Sequence, residues 1–171
     1  MPLHHRPEWR GPAPFLPVTP VIAVHVASGL GAVVAGAGAA LSRKGQPRHR
    51  RFGVTYLVSL LVLATSASVL ALQELGARWH LLVLGLSALA LGTAGYVARM
   101  RRRPGWMRRH LLCMGASYIV MLTAFYVDNG PRLPLWWRLP RWALWVVPSL
   151  VGAPVVLRAW RRHGGADLTA V

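Results

Sequence analysis

Acidic side chains and cysteine are nearly absent from this sequence. Only four aspartate and glutamate residues occur among 171, too few to make a paired-carboxylate mechanism a reasonable expectation. The single cysteine, Cys113, excludes an internal disulfide and a zinc site built from cysteines. The sequence contains no phosphate-binding glycine-rich loop, no HExxH zinc motif and no nucleophile elbow. These absences remove most enzyme classes that a short motif identifies, and whether the protein is an enzyme stays open.

Charge of either sign is also scarce, at 14% of residues against about 25% in soluble domains. Hydrophobic residues make up 54% and gather in five segments, each close to the ~20 residues that span a bilayer core. The segments cover about 21–41, 52–72, 79–98, 110–127 and 142–157. Because the linkers are short, successive segments are expected to run antiparallel. The sequence therefore predicts an all-α integral membrane protein, an up-and-down bundle with a four-helix core and a fifth helix outside it.

The chain is expected to form one domain with a tail at each end. Residues 1–20 are rich in proline and irregular, as in a tail. The transmembrane bundle is expected over residues 21–160, and a short C-terminal tail over 161–171.

The twenty basic residues are placed unevenly along the chain. Fourteen fall in the first linker, in the third linker and after the fifth segment. Cytoplasmic loops carry the excess of lysine and arginine, so we expect the cytoplasmic (inner) membrane, with the N-terminus outside and the C-terminus in the cytoplasm. Anionic lipids on the cytoplasmic side are the expected partners. Nucleic acid is not, because no nucleic-acid-binding motif accompanies the charge.

Four histidines lie near or within the apolar segments, where ionisable side chains are costly and usually face the interior of a bundle. By depth they form an outer pair, His25 and His80, and an inner pair, His49 and His110. Each pair belongs to helices that stand diagonally in a four-helix bundle. Two stacked haem b groups need this arrangement, because each iron takes two neutral imidazoles at its axial positions. The architecture resembles that of di-haem transmembrane cytochromes b.

The leading functional hypothesis is therefore a haem-b-type electron-transfer component that exchanges electrons with a quinone or a soluble redox partner. Each pair of histidines would ligate one haem iron. Three further residues are predicted to support the inner haem: Tyr56, Arg50 and Arg109. Guanidinium groups there could hold haem propionates or lipid phosphates, although membrane anchoring alone would also account for them.

Two other classes of function remain open. The bundle could be a small transporter or lipid-binding protein whose basic cytoplasmic mouth receives an anionic head group. It could also be a structural or accessory subunit of a membrane complex, in which the histidines only link helices by hydrogen bonds.

Several motifs carry a resemblance to a known family. The first segment contains His25, Gly29 and Gly36, and HRRFGVTY follows at 49–56. Later motifs are HLLCMGASYIVMLTAFYVDNG at 110–130 and LPLWWRLPRWALWVVPSLVGAP at 133–154. Over residues 20–155 the chain resembles the bacterial family called domain of unknown function 2306. The resemblance implies a multi-pass membrane protein and singles out His25, His49 and His110, whereas His80 matches less closely. It implies no substrate and no cofactor.

Overall fold

The structure is a computed structural model that describes residues 18–134 and 136–163. These residues form five helices: α1 (Val18–Leu41), α2 (Pro47–Gln73), α3 (Leu75–Arg101), α4 (Trp106–Asn129) and α5 (Arg141–His163). Two short 3₁₀ turns, Gly130–Arg132 and Trp136–Arg138, lie between α4 and α5. No strand occurs in this part of the chain. The all-α prediction is confirmed.

All five helices are long and apolar enough to cross a membrane. Several of them extend beyond the apolar segments. For example, α2 begins at Pro47 rather than Phe52, and α3 begins at Leu75 rather than Trp79. An apolar segment marks only the hydrocarbon core, whereas a helix continues into the head-group region, where basic and aromatic side chains are favoured. Proline suits the first turn of α2, because the amide N–H at that position has no helical partner.

The predicted tails lie largely outside the described residues, which begin at residue 18 and end at residue 163. Residues 18–20, which were expected to belong to the N-terminal tail, form the start of α1 instead. Residues 161–163 likewise belong to the end of α5. Proline is tolerated in a first helical turn, so Pro20 does not prevent an early start of α1.

Each of the first four helices contributes to one buried core. Its members are mainly small or apolar side chains: Ala32 and Ala35 of α1, Tyr56 and Leu60 of α2, Ala88 of α3 and Met121 of α4. Small residues allow helix backbones to approach closely inside a membrane, where no hydrophobic driving force brings helices together.

The fifth helix packs against α4 through two glycines. A Cβ atom added at Gly115 of α4 would collide with Val156 of α5, and one added at Gly152 of α5 would collide with Ile119 of α4. Each glycine therefore accommodates a branched side chain of the partner helix. This packing confirms a four-helix core with a fifth helix outside it.

A chain of buried hydroxyl groups crosses the centre of the bundle. The Ser117 hydroxyl on α4 donates to the Ala88 carbonyl of α3 at 2.7 Å. It accepts a hydrogen bond from the Tyr56 hydroxyl on α2 at 2.8 Å, because its own proton is engaged. The neighbouring Tyr118 hydroxyl donates to the Val33 carbonyl of α1 at 3.0 Å. The bond between Tyr56 and Ser117 joins the diagonal helices α2 and α4 directly, nearer the middle of both helices than His49 and His110.

Candidate functional site

The inner histidines lie side by side at one end of the bundle. His49 is in the first turns of α2 and His110 is in the first turns of α4. Their ring centres are 6.4 Å apart and their planes are inclined at 78°. Both side chains are partly buried. The two imidazoles that were predicted to form a pair, because of their equal depth on diagonal helices, therefore lie close together.

Each of these imidazoles is held by a backbone carbonyl of a neighbouring helix. His49 Nδ1 lies 2.9 Å from the Ala39 carbonyl of α1, and His110 Nδ1 lies 2.9 Å from the Gly95 carbonyl of α3. A carbonyl oxygen can only accept, so Nδ1 carries the proton in both rings. In a neutral imidazole Nε2 is then the nitrogen with a free lone pair.

Both rings line a cleft between α2, α3 and α4, here called the histidine cleft. Its other lining residues are Arg50, Gly53, Val54 and Leu57 of α2, Tyr96 and Arg99 of α3 and Met114 of α4. Its cavity volume is about 30 Å³, the space of roughly one water molecule. At Gly53 an added Cβ atom would meet nothing within 4 Å, so the α2 wall leaves room for a ligand at that point.

A second and larger space adjoins the histidine cleft and is strongly basic. It has a volume of about 240 Å³ lined by Arg50, Tyr96, Arg99, Met100 and Arg102, and we call it the arginine mouth. The two spaces share Arg50, Tyr96 and Arg99. No carboxylate lines either space in the described part of the chain. An uncompensated group of guanidinium ions attracts anions.

Lys44 adds to the positive charge near His49. Its ammonium donates to the carbonyls of Ala39 and Ala40, at 3.4 Å and 3.1 Å, at the end of α1. Desolvation lowers the pKa of this ammonium from its ordinary value. The Ala39 carbonyl thus accepts from both Lys44 and His49, which ties the loop after α1 to the first turn of α2.

The outer histidines have separate neighbours. His25 Nδ1 lies 3.1 Å from the Ser66 hydroxyl of α2. The ring of His80 packs against Trp79 and against Trp145 of α5, with ring centres 6.2 Å apart in both cases. The described residues show no hydrogen bond or ring contact between His25 and His80. Their use as a pair therefore stays a prediction.

The three residues predicted to support the inner site lie in three different places. Arg50 lines both the histidine cleft and the arginine mouth. Tyr56 is buried in the core, where its hydroxyl is bonded to Ser117. Arg109 is exposed and does not line either space.

Sequence reasoning did not single out Tyr96 and Arg99 of α3, although they line both spaces. The apolar segment is predicted to end near residue 98, which places Arg99 in the linker that follows. The available signal is helical spacing. Tyr96 and Arg99 are three positions apart and therefore share a face if the helix continues past the apolar segment.

Fold and cleft together define a class of protein: a multi-pass helical membrane protein with a histidine pair and a basic mouth at one end. The family described as "Predicted membrane protein (DUF2306)" matches residues 22–152, which is well over half of the chain. The chain belongs to this family, and the resemblance carried by its motifs is confirmed. Neither a curated protein nor a solved structure matches the chain.

Proposed function

We propose that this protein is a haem-b-type electron-transfer component of the cytoplasmic membrane, in which His49 and His110 ligate one haem iron. The observation that carries the proposal is the 6.4 Å separation of the two imidazole rings, each with its Nδ1 engaged by a carbonyl.

The ring separation fits two imidazoles on opposite sides of one metal ion. Aromatic rings in direct contact have centres ~4.5–7 Å apart, and the observed 6.4 Å is at the long end of that range. The spacing therefore fits a metal ion held between the two rings, and it also lies within the range of direct ring contact.

The carbonyl bonds also favour metal ligation. Histidines that bind a metal usually donate their second N–H to a carbonyl or carboxylate, which fixes the tautomer and the ring orientation. His49 and His110 both meet this condition through carbonyls of helices other than their own. If the two histidines only linked helices by hydrogen bonds, there would be no reason for both rings to line the same cleft.

The residues present suit a haem better than a bare metal ion. The described residues contain no group of three or more histidine, cysteine or acidic side chains that could hold a metal. A haem iron requires only two axial ligands from the protein. The cleft has room for only about one water molecule, so a haem would have to part the helices beside Gly53, where an added Cβ atom meets nothing within 4 Å; Arg50 would then neutralise carboxylates on its edge.

Haem iron, when bound, would supply the capacity to accept and donate one electron. The protein would hold the two imidazoles neutral, surround them with apolar side chains such as Leu57 and Met114, and limit access of water. We propose a membrane quinone or a soluble redox protein as electron partner. The protein would then be a carrier within a redox chain rather than a self-contained enzyme.

The outer pair, His25 and His80, would ligate a second haem in this proposal. Its support is the depth of the two residues and their places on diagonal helices. The number of haems per chain distinguishes the two versions: one haem indicates the inner pair alone, and two indicate that both pairs are used.

The orientation proposed from the basic residues places the histidine cleft on the cytoplasmic side. A fluorescent-protein fusion at the C-terminus should fluoresce, whereas an alkaline phosphatase fusion at the same point should be inactive. The opposite pattern would overturn this orientation and move the cleft to the outer side.

The proposal is tested by expressing the protein with a supply of haem and recording absorption spectra of the detergent-purified protein, oxidised and then reduced with dithionite. We expect a Soret band and sharp reduced α and β bands. His49→Ala and His110→Ala should each abolish the inner haem, whereas Ala substitution of the exposed Arg109 should leave it. A folded wild-type protein that remains colourless after haem reconstitution would overturn the proposal.

A further inference from the structure

The arginine mouth has the composition of a binding site for an anionic lipid head group. Three of its five lining residues are arginines, Arg50, Arg99 and Arg102. We infer that the mouth binds the phosphate group of an anionic phospholipid, and that it does so in protein that holds no haem. Arginine forks match the oxygens of a phosphate group and bind them through paired, charge-assisted hydrogen bonds.

No acidic residue within 18–134 and 136–163 lies at the arginine mouth. The described acidic residues are Glu74, which pairs with Arg78 at 2.9 Å, and Asp128 near the end of α4. The mouth sits at the beginning of α2 and the end of α3, whereas Glu74 lies between the end of α2 and the beginning of α3, and Asp128 lies at the end of α4. Among the described residues no carboxylate is therefore placed to pair with the three guanidinium groups, and an anionic ligand fits there.

Apolar side chains beside the arginines favour a lipid over a soluble anion. Met100, 63% exposed, lines the mouth directly. On α2, Val54 lines the adjoining cleft and is 43% exposed, and Val58, one turn further into the membrane, is 58% exposed. Acyl chains could lie along this apolar surface while the phosphate contacts the arginines. A free phosphate ion would leave these side chains unused.

The backbone at Arg102 is consistent with a role for its side chain. Arg102 ends α3 in the left-handed region, at φ 43°, a conformation that favours glycine. Its guanidinium lies 5.9 Å from the centre of the Trp106 ring, within the range of a cation–π contact. Arg102 thus adopts a backbone conformation in which glycine would be less strained, and the contact with Trp106 limits the positions of the Arg102 guanidinium group.

The experiment compares two double variants with equal loss of charge. Arg99→Gln/Arg102→Gln removes two guanidinium groups of the mouth. Arg101→Gln/Arg103→Gln removes two exposed arginines of the same helix end that do not line the mouth. Each protein is purified without added haem, and its binding of phosphatidylglycerol and of phosphatidylcholine is measured by native mass spectrometry and lipid titration.

We expect the wild type and the control variant to retain phosphatidylglycerol in preference to phosphatidylcholine, with affinities that agree within about twofold. The mouth variant should bind phosphatidylglycerol at least about tenfold more weakly, because it loses charge-assisted hydrogen bonds to the phosphate. Equal losses in the mouth and control variants would overturn the site, because general positive charge would then explain the binding.

The source of the phosphate is tested by a separate titration with inorganic phosphate. We expect inorganic phosphate to raise the melting temperature of the wild type less than phosphatidylglycerol does. An equal, arginine-dependent effect of inorganic phosphate would overturn the lipid assignment and indicate a soluble anion. Because these measurements use protein purified without added haem, a protein that binds the lipid but stays colourless after haem reconstitution would reject the haem proposal alone.

Discussion

The hydroxyl chain at the centre of the bundle predicts that Ser117→Ala is more harmful than Tyr56→Phe. Tyr56 is 1% exposed and its hydroxyl donates to Ser117. Removing the Ser117 hydroxyl leaves a buried donor without a partner, which costs about 1–3 kcal/mol. Removing the Tyr56 hydroxyl leaves Ser117 bonded to Ala88, so the loss is only that of one hydrogen bond, about 0.5–1.5 kcal/mol and nearer 0.6 inside a membrane.

The double variant makes the same reasoning quantitative. When Tyr56 is already phenylalanine, Ser117→Ala no longer strands a hydroxyl, so its additional cost should fall by about 0.5–1 kcal/mol. Reversible unfolding of the four proteins in mixed detergent micelles, followed by circular dichroism, measures this coupling. Additive losses within about 0.3 kcal/mol would show that the two hydroxyls do not depend on each other. The hydrogen-bond chain described here would then be refuted.

Three further substitutions separate packing from ligand binding. Gly53→Phe should leave the melting temperature unchanged or raise it, because a Cβ atom at this position meets nothing within 4 Å. The same substitution should reduce haem incorporation, because the phenyl ring fills the histidine cleft. An unchanged haem content would contradict this role of the cleft. Arg102→Gly should raise the free energy of unfolding by about 1 kcal/mol, because glycine adopts the φ of 43° without strain, and a decrease would contradict the backbone argument. Gly36→Leu should destabilise by about 1–3 kcal/mol because it collides with Tyr118, whereas Gly76→Leu, where no atom lies within 4 Å, is the matched control in thermal unfolding.

The number and type of helices could be predicted because membrane-spanning length and apolarity are properties of the sequence alone. Helix ends could not, since apolarity stops at the edge of the hydrocarbon core while the helical hydrogen bonds continue. This difference matters at the beginning of α2. The four residues 47–50 belong to α2, so His49 and Arg50 are held on a helix rather than in a linker.

The meeting of His49 and His110 could be anticipated from depth and from the diagonal positions of their helices. The rotation of each helix about its own axis could not, because it depends on packing. This rotation directs Tyr56 toward Ser117 rather than toward the histidine cleft, and it brings Arg99 of α3 into the cleft instead. Backbone carbonyl partners such as Ala39 and Gly95 also escape sequence reasoning, since any residue supplies the same carbonyl.

The central claim is that His49 and His110 share one iron, and imidazole rescue of His110→Gly tests it most directly. This variant opens a space of imidazole size opposite His49, while the Gly95 carbonyl loses only the hydrogen bond from His110. We predict that the haem-supplied variant lacks the low-spin reduced α and β bands of the inner haem and that added imidazole restores them. The variant His49→Gly/His110→Gly, which must take up two imidazoles, should not recover these bands at the same imidazole concentration. A His110→Gly protein that retains the wild-type spectrum without imidazole would contradict the claim, because His110 could not then be an axial ligand.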